Sequence, residues 1–123
     1  MVEIIGKSGA GKTVLAESIV GAMPKTSGAV LCGGSNVTRL SILQSRNLMG
    51  YVPEVPVLLN GTLQENISGL SNDLDTERLF AVAHTARIHH IIVGLPDGYQ
   101  TRIKKNYSPF SKGFQHQISL ARA

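Results

Sequence analysis

Gly6, Gly11, Lys12 and Thr13 stand at the spacing G-x-x-x-x-G-K-[ST], with Lys7, Ser8, Gly9 and Ala10 between them. Residues of these types at this spacing make a phosphate cradle. Glycine lets the backbone wrap closely and turn its N–H groups inward onto anionic oxygens. A helix that starts at the lysine adds the positive end of its dipole. The lysine is placed for the β- and γ-phosphates of a nucleoside triphosphate, and the threonine hydroxyl for Mg²⁺. The pattern arises by chance in about one chain in a few hundred of this length. Val14 follows, with no hydroxyl on its side chain.

The elements that must position this loop are a strand before it and a helix after it. Val2 to Ile5 is apolar and reads as the strand; Lys12 to about Ala22 reads as the helix, with Val14, Leu15, Ile19 and Val20 as its apolar stripe and Pro24 as its stop. Gly28 to Cys32 reads as a short strand closed by Gly33-Gly34. Residues 37–48 read as a short helix, and Gly50-Tyr51-Val52-Pro53 as a strand. Thr62-Leu63-Gln64-Glu65 is a capping box, so a helix begins near Thr62. Asp75 or Thr76 caps a second helix to about Ala86, with Leu79, Phe80, Val82 and Ala83 as its apolar members. Ile88 to Val93 reads as another short helix, Leu95 to Gly98 as a turn and Tyr99 to Ile103 as extended. A last helix starts at about Ser111.

The chain has 123 residues, enough for one domain, and a composition that fits a globular core, with 42% hydrophobic and 16% charged residues. No apolar run approaches the ~20 residues of a membrane span. No charged-then-apolar leader opens the chain, so it is expected to be cytoplasmic. A single cysteine, Cys32, excludes an internal disulfide and is expected to pack in the interior. The net charge of +4 is mild and the basic residues are dispersed, so no nucleic-acid partner is expected. Lys104-Lys105 is the one adjacent basic pair and reads as a solvated loop. His84, His89, His90 and His116 read as helix-surface residues.

Three further segments carry a resemblance. The string from Tyr51 to Ile67, including Glu54, resembles the Q-loop segment of exporter-type ABC-transporter ATPases. Phe110 to Ala123 is similar to the ABC signature and the helix behind it, and Leu95 to Ile103 to the stretch leading into that signature. With Lys25-Thr26-Ser27-Gly28, the whole chain resembles the ATPase half of bacterial type I secretion exporters. The resemblance implies an α/β phosphate-loop NTPase fold, part of a parallel sheet plus an α-helical subdomain. Residues 1–61 would be the phosphate-loop core through the Q-loop, 62–108 the helical subdomain, and 109–123 the signature and its helix.

The same resemblance implies the ligands and partners. Gly6, Lys7, Ser8, Gly9, Ala10, Gly11, Lys12, Thr13 and Val14 would hold the phosphates of ATP in cis. Ser111 and Gly113 would reach the γ-phosphate of a second ATPase domain in trans. Thr13 and Glu54 would be the Mg²⁺ ligands. A transmembrane domain of an exporter would be the other partner, which puts the chain in the cytoplasm or at the cytoplasmic face of the inner membrane.

The sequence also departs from that family. Glu54 replaces the Q-loop glutamine, Lys112 the first signature glycine and Phe114 the signature glutamine; Lys104 to Tyr107 stand where glycines are usual. A side chain at Lys112 is expected to obstruct the approach of a phosphate. The chain ends inside the post-signature helix, before the Asp-Glu strand and the switch histidine that the family uses for hydrolysis. No residue is therefore assigned a catalytic role, turnover by this chain alone is not expected, and self-association through uncovered sheet surface is. The alternatives are an ATPase completed by another polypeptide and a non-enzymatic fragment or interaction module without nucleotide.

Overall fold

The computed structural model describes residues 1–24, 26–41, 44, 48–69, 75–104 and 109–123. The chain divides into two compact units, Met1–Gly50 and Tyr51–Ala123.

In the first unit the phosphate loop runs into helix α1, Lys12–Ile19. The helix closes on Gly21, which has a φ of +77°. There the Gly21 N–H donates to the Ser18 carbonyl at 3.3 Å and the Ala22 N–H to the Glu17 carbonyl at 2.8 Å. This paired pattern satisfies the last carbonyls of the helix and requires a left-handed residue that glycine supplies. Strands β1 (Leu31–Cys32) and β2 (Ser35–Asn36) pair antiparallel, with Leu31 opposite Asn36 and Cys32 opposite Ser35. Gly33 and Gly34, at φ +55° and +81°, make the two-residue turn between them. Both central residues of such a turn take positive φ, and its twist matches that of the strands it joins.

Asn36 then caps a 3₁₀ turn, Val37–Arg39, by accepting the Thr38 N–H at 3.1 Å. Val37 is buried and donates its N–H to the Val30 carbonyl. A Cβ at Gly21 would come within 3.1 Å of the Val37 side chain, so the closing glycine of α1 also makes room for the hairpin's anchor.

The second unit holds the core. Strand β3 (Gly61–Thr62) pairs antiparallel with β4 (Arg102–Ile103), Gly61 opposite Ile103 and Thr62 opposite Arg102. The predicted capping box opens α2, Leu63–Ser68: Thr62 Oγ1 accepts the Glu65 N–H at 3.1 Å, and Glu65 Oε2 accepts the Thr62 N–H at 2.7 Å. Asp75 caps α3, Thr76–Thr85, by accepting the Glu77 N–H. Helix α4 spans His89–Val93, a 3₁₀ turn spans Gly98–Gln100, and α5 spans Lys112–Arg122. Leu58, Leu63, Ile67, Leu79, Ala83, Ile88, Ile92, Ile103, Phe114 and Ile118 form one apolar cluster. Leu63, Ile88, Ile92 and Ile118 are each fully buried, and each contributes about 1.5–3 kcal/mol by leaving water. On α5, Phe114, Ile118 and Ala121 recur at helical spacing and give the helix its buried face.

Several expectations are corrected. Val2 to Ile5 and Gly50 to Pro53 form no strand and enter neither ladder among the described residues; an apolar run becomes a strand only when a neighbour's N–H and C=O groups pair with its own along its length. The apolar stripe of α1 is not a buried face; Val14, Leu15 and Ile19 are exposed. Over residues 37–48 the structure adds a 3₁₀ turn at Val37–Arg39 and has Gln44 and Leu48 in helix, in keeping with the short helix expected there; Ile42, Leu43 and 45–47 lie outside the described residues. Tyr99 belongs to a 3₁₀ turn, so the extended stretch begins only at Arg102. Cys32 is half-buried, not fully enclosed; its strand has one pairing partner among the described residues. Lys25, residues 70–74 and residues 105–108 also lie outside the described residues, which takes in Lys105 to Tyr107 and part of the 62–108 span. Both ladders among the described residues are antiparallel and none is parallel.

Candidate functional site

The phosphate loop is built by backbone conformation. Gly9 and Gly11 take φ of +78° and +89°, the left-handed region that costs other residues about 1–2 kcal/mol. A Cβ at either would meet nothing within 4 Å, so the glycines are there for the turn and leave open space beside it. Gly6 differs, since a Cβ there would lie 3.3 Å from that of Ala10. Within the loop the Ala10 N–H donates to the Lys7 carbonyl at 3.1 Å.

Helix α1 starts with Gly11 as its cap, and no side chain caps it. The first bonded amide is that of Leu15, which donates to the Gly11 carbonyl at 2.9 Å. The amides of Lys12, Thr13 and Val14 have no partner among the described residues. Val14 therefore brings a backbone N–H to the cradle although its side chain brings no hydroxyl. Lys12 Nζ donates to the carbonyls of Gly6 at 2.8 Å and Lys7 at 2.9 Å. Residues 6–11, Thr13 and Val14 are exposed, and Lys12 is half-buried. Free amides at a helix start, a lysine and an open glycine turn form the donor set that a polyphosphate requires, and the exposed Thr13 hydroxyl is a hard oxygen suited to Mg²⁺. Among the described residues no cluster of three His, Cys, Asp or Glu could hold a metal.

In the second unit Glu54 is exposed in a bend of the segment before β3. Ser111 caps α5, accepting the Phe114 N–H at 3.3 Å, and Ser111, Lys112 and Gly113 are all exposed at that helix start. Phe114 turns inward, its ring 4.7 Å from that of Phe110. Phe114 is thus a core residue, and it leaves the helix start at Ser111 to Gly113 exposed.

The phosphate loop belongs to the first unit, and Glu54, Ser111 and Gly113 to the second. No hydrogen bond among the described residues joins Glu54 to Ser111 or Gly113. Two residues not singled out from the sequence link their segments instead. Arg122 Nε donates to the Asn66 carbonyl at 2.6 Å, Nη2 to Asn66 Oδ1 at 3.0 Å, and Nη1 to the Val57 carbonyl at 2.8 Å. Burial lowers the Arg122 pKa below its usual value. Asn66 is fully buried, and its amide also accepts the Leu59 N–H at 2.7 Å and donates to the carbonyls of Leu59 and Thr62, each at 2.9 Å. Both residues lie inside the strings that carry the resemblance. An arginine in the last turn of a helix ordinarily reads as a partner of the helix dipole, so its type and place gave no signal of the longer reach.

No helix among the described residues is long and apolar enough to cross a membrane. The family model described as ABC transporter matches residues 1–123. The chain is 37% identical over 120 residues to the multidrug efflux ATP-binding/permease protein of Mycobacterium bovis, an alignment that covers 98% of this chain and 10% of that protein. It is 34% identical over 122 residues to the type I secretion system ATP-binding protein PrsD of Rhizobium meliloti, covering 99% of this chain and 21% of that protein. A solved bacterial Atm1-family ABC exporter with ATP bound superposes at a TM-score of 0.83 and 28% identity, covering 94% of this chain and 20% of the other. The chain spans about a tenth to a fifth of the length of these proteins. These likenesses bear out the resemblance to exporter ATPases, type I secretion included, and the α/β phosphate-loop fold class.

Proposed function

The chain belongs to the ABC transporter family, and from that membership we propose that it is the ATP-binding portion of an exporter, binding Mg-ATP in the service of transport. The observation that carries this reading is the helix start at Gly11–Val14. Among the described residues the amides of Lys12, Thr13 and Val14 have no partner there, and a Cβ at Gly9 or Gly11 would meet nothing within 4 Å. In this reading Gly6 to Val14 hold the phosphates in cis. Thr13 and Glu54 supply oxygen ligands to Mg²⁺, which neutralises phosphate charge when bound. Ser111 and Gly113 offer a hydroxyl and a backbone N–H to a nucleotide held by a second ATPase domain.

Residues 1–61 act as the phosphate-loop core through the Q-loop, 62–108 as the helical subdomain, and 109–123 as the signature and its helix. A transmembrane domain is the coupled partner, with this chain at the cytoplasmic face of the membrane.

Calorimetric titration with Mg-ATP, run beside Lys12→Ala, tests the reading. Saturable binding that weakens about tenfold or more in Lys12→Ala is expected, since a hydrogen bond to a charged group is worth about 1.5–3 kcal/mol. Absence of binding by the parent chain would overturn it and favour a module that no longer takes nucleotide.

A further inference from the structure

Arg122 ends the helix that Ser111 begins, and all three of its hydrogen bonds leave that helix for residues 56 and 65 positions earlier in the chain. Two of them go to Asn66 and one to the Val57 carbonyl, three residues beyond Glu54. Asn66 in turn grips Leu59 through both its N–H and its carbonyl. Every donor and acceptor site of the Asn66 amide is used: its oxygen accepts two bonds and its nitrogen donates two. The aliphatic stem of Arg122 passes Gly69, where an added Cβ would sit 3.8 Å from Arg122 Cγ. Residues 51–60 form no helix or strand of their own, so these side-chain bonds do for the segment what a ladder does for a strand.

We propose that Arg122 is a positioning residue that clasps the segment leaving Glu54 to the signature helix through Asn66 and Val57, so that the Glu54 segment and the helix presenting Ser111 and Gly113 move as one body. The proposal rests on the reading of these two segments given above. It concerns how they are held, not what they bind. The guanidinium is suited to the task because its planar fork reaches a backbone oxygen and a side-chain oxygen of one residue while a third nitrogen reaches another; a lysine offers one ammonium in place of that fork.

The test is a distance measurement between spin labels at Val55→Cys and Lys112→Cys in a Cys32→Ser background, with a control pair at Thr85→Cys and Lys112→Cys. All three label positions are exposed. In the parent chain both pairs give a single narrow distance population. Arg122→Lys keeps the charge and loses the fork; Arg122→Gln loses both. The expected result is that the 55–112 distance broadens or splits in both variants while the 85–112 distance stays narrow. A 55–112 distance that stays narrow in Arg122→Lys and Arg122→Gln overturns the proposal. So does equal broadening of the control pair, which would make Arg122 a support of the whole core and not of this segment. The measurement needs no nucleotide, so a blank Mg-ATP titration counts against the proposed function and leaves this answer standing.

Discussion

His89 Nδ1 lies 2.8 Å from the hydroxyl of Tyr99, and the His89 ring stacks on His84 with centroids 4.1 Å apart. Phe80 completes the group, its ring 5.2 Å from that of Tyr99 and 5.3 Å from that of His89. The cluster pins the 3₁₀ turn at Gly98–Gln100 to helices α3 and α4. Burial raises the Tyr99 pKa above its ordinary value. A phenol whose folded pKa is raised stabilises the fold fully below the unfolded value of about 10, and that contribution is lost as pH rises through the folded value. Stability measured by urea unfolding should therefore fall as pH rises past about 10, and fall less steeply in Tyr99→Phe. At neutral pH the same variant should lose about 1 kcal/mol with the His89 bond. Equal slopes in parent and variant would refute the assignment.

Gly11→Ala tests the loop's geometry apart from its charge. The new Cβ would meet nothing within 4 Å, so the whole cost is the left-handed φ of +89°. That cost is about 1–2 kcal/mol, and relaxation of the turn out of this conformation would misdirect the amides that follow. Mg-ATP affinity should drop by about tenfold while the unfolding of the second unit is unchanged. Wild-type affinity in this variant would show that the turn is not needed for binding.

Thr62→Ala removes one half of the capping box and frees the Glu65 amide at the start of α2. A loss of about 1 kcal/mol is expected by denaturant titration. Gly61→Ala should cost more. A Cβ there collides with the Glu65 carboxylate that forms the other half of the box, and the backbone at Gly61 sits at φ +147°. The order Gly61→Ala below Thr62→Ala below parent is the outcome to check.

Arg87 is the residue at positive φ, +59°, that is not glycine among the described residues. It ends α3: its N–H donates to the His84 carbonyl and the Ile88 N–H to the Ala83 carbonyl, both at 2.9 Å. Ile88 and Ala83 are fully buried on each side of this closure. Arg87 itself is exposed and contributes no contact to the core, so Arg87→Gly relieves the strain without a cavity. A gain of about 1 kcal/mol in stability is expected, seen as a higher urea midpoint with an unchanged slope.

The parts that sequence reading placed correctly are those in which a few neighbouring residues decide the outcome. The start of α1 after Gly11, the Thr62–Glu65 box, the Asp75 cap, the start of α5 at Ser111 and the Gly33-Gly34 turn all depend on contacts within three or four positions. Identity and spacing therefore carry nearly all the information. The strand readings at Val2 to Ile5 and Gly50 to Pro53 failed for the opposite reason. A strand's hydrogen bonds belong to another segment, and apolar alternation states only a readiness to pair.

The chain by itself determined the left-handed turn of one glycine loop, through Gly9 and Gly11, and the starts of its helices, through their caps. The tertiary structure decided which apolar faces are covered. It buries Ile118 and Phe114 of α5 and leaves Val14 and Leu15 of α1 exposed, although both helices carry an apolar stripe. It also decided that Arg122 serves Asn66 and Val57 instead of its own helix end. A guanidinium finds its partners by proximity after the core has closed, and no local pattern records a contact made across 56 residues.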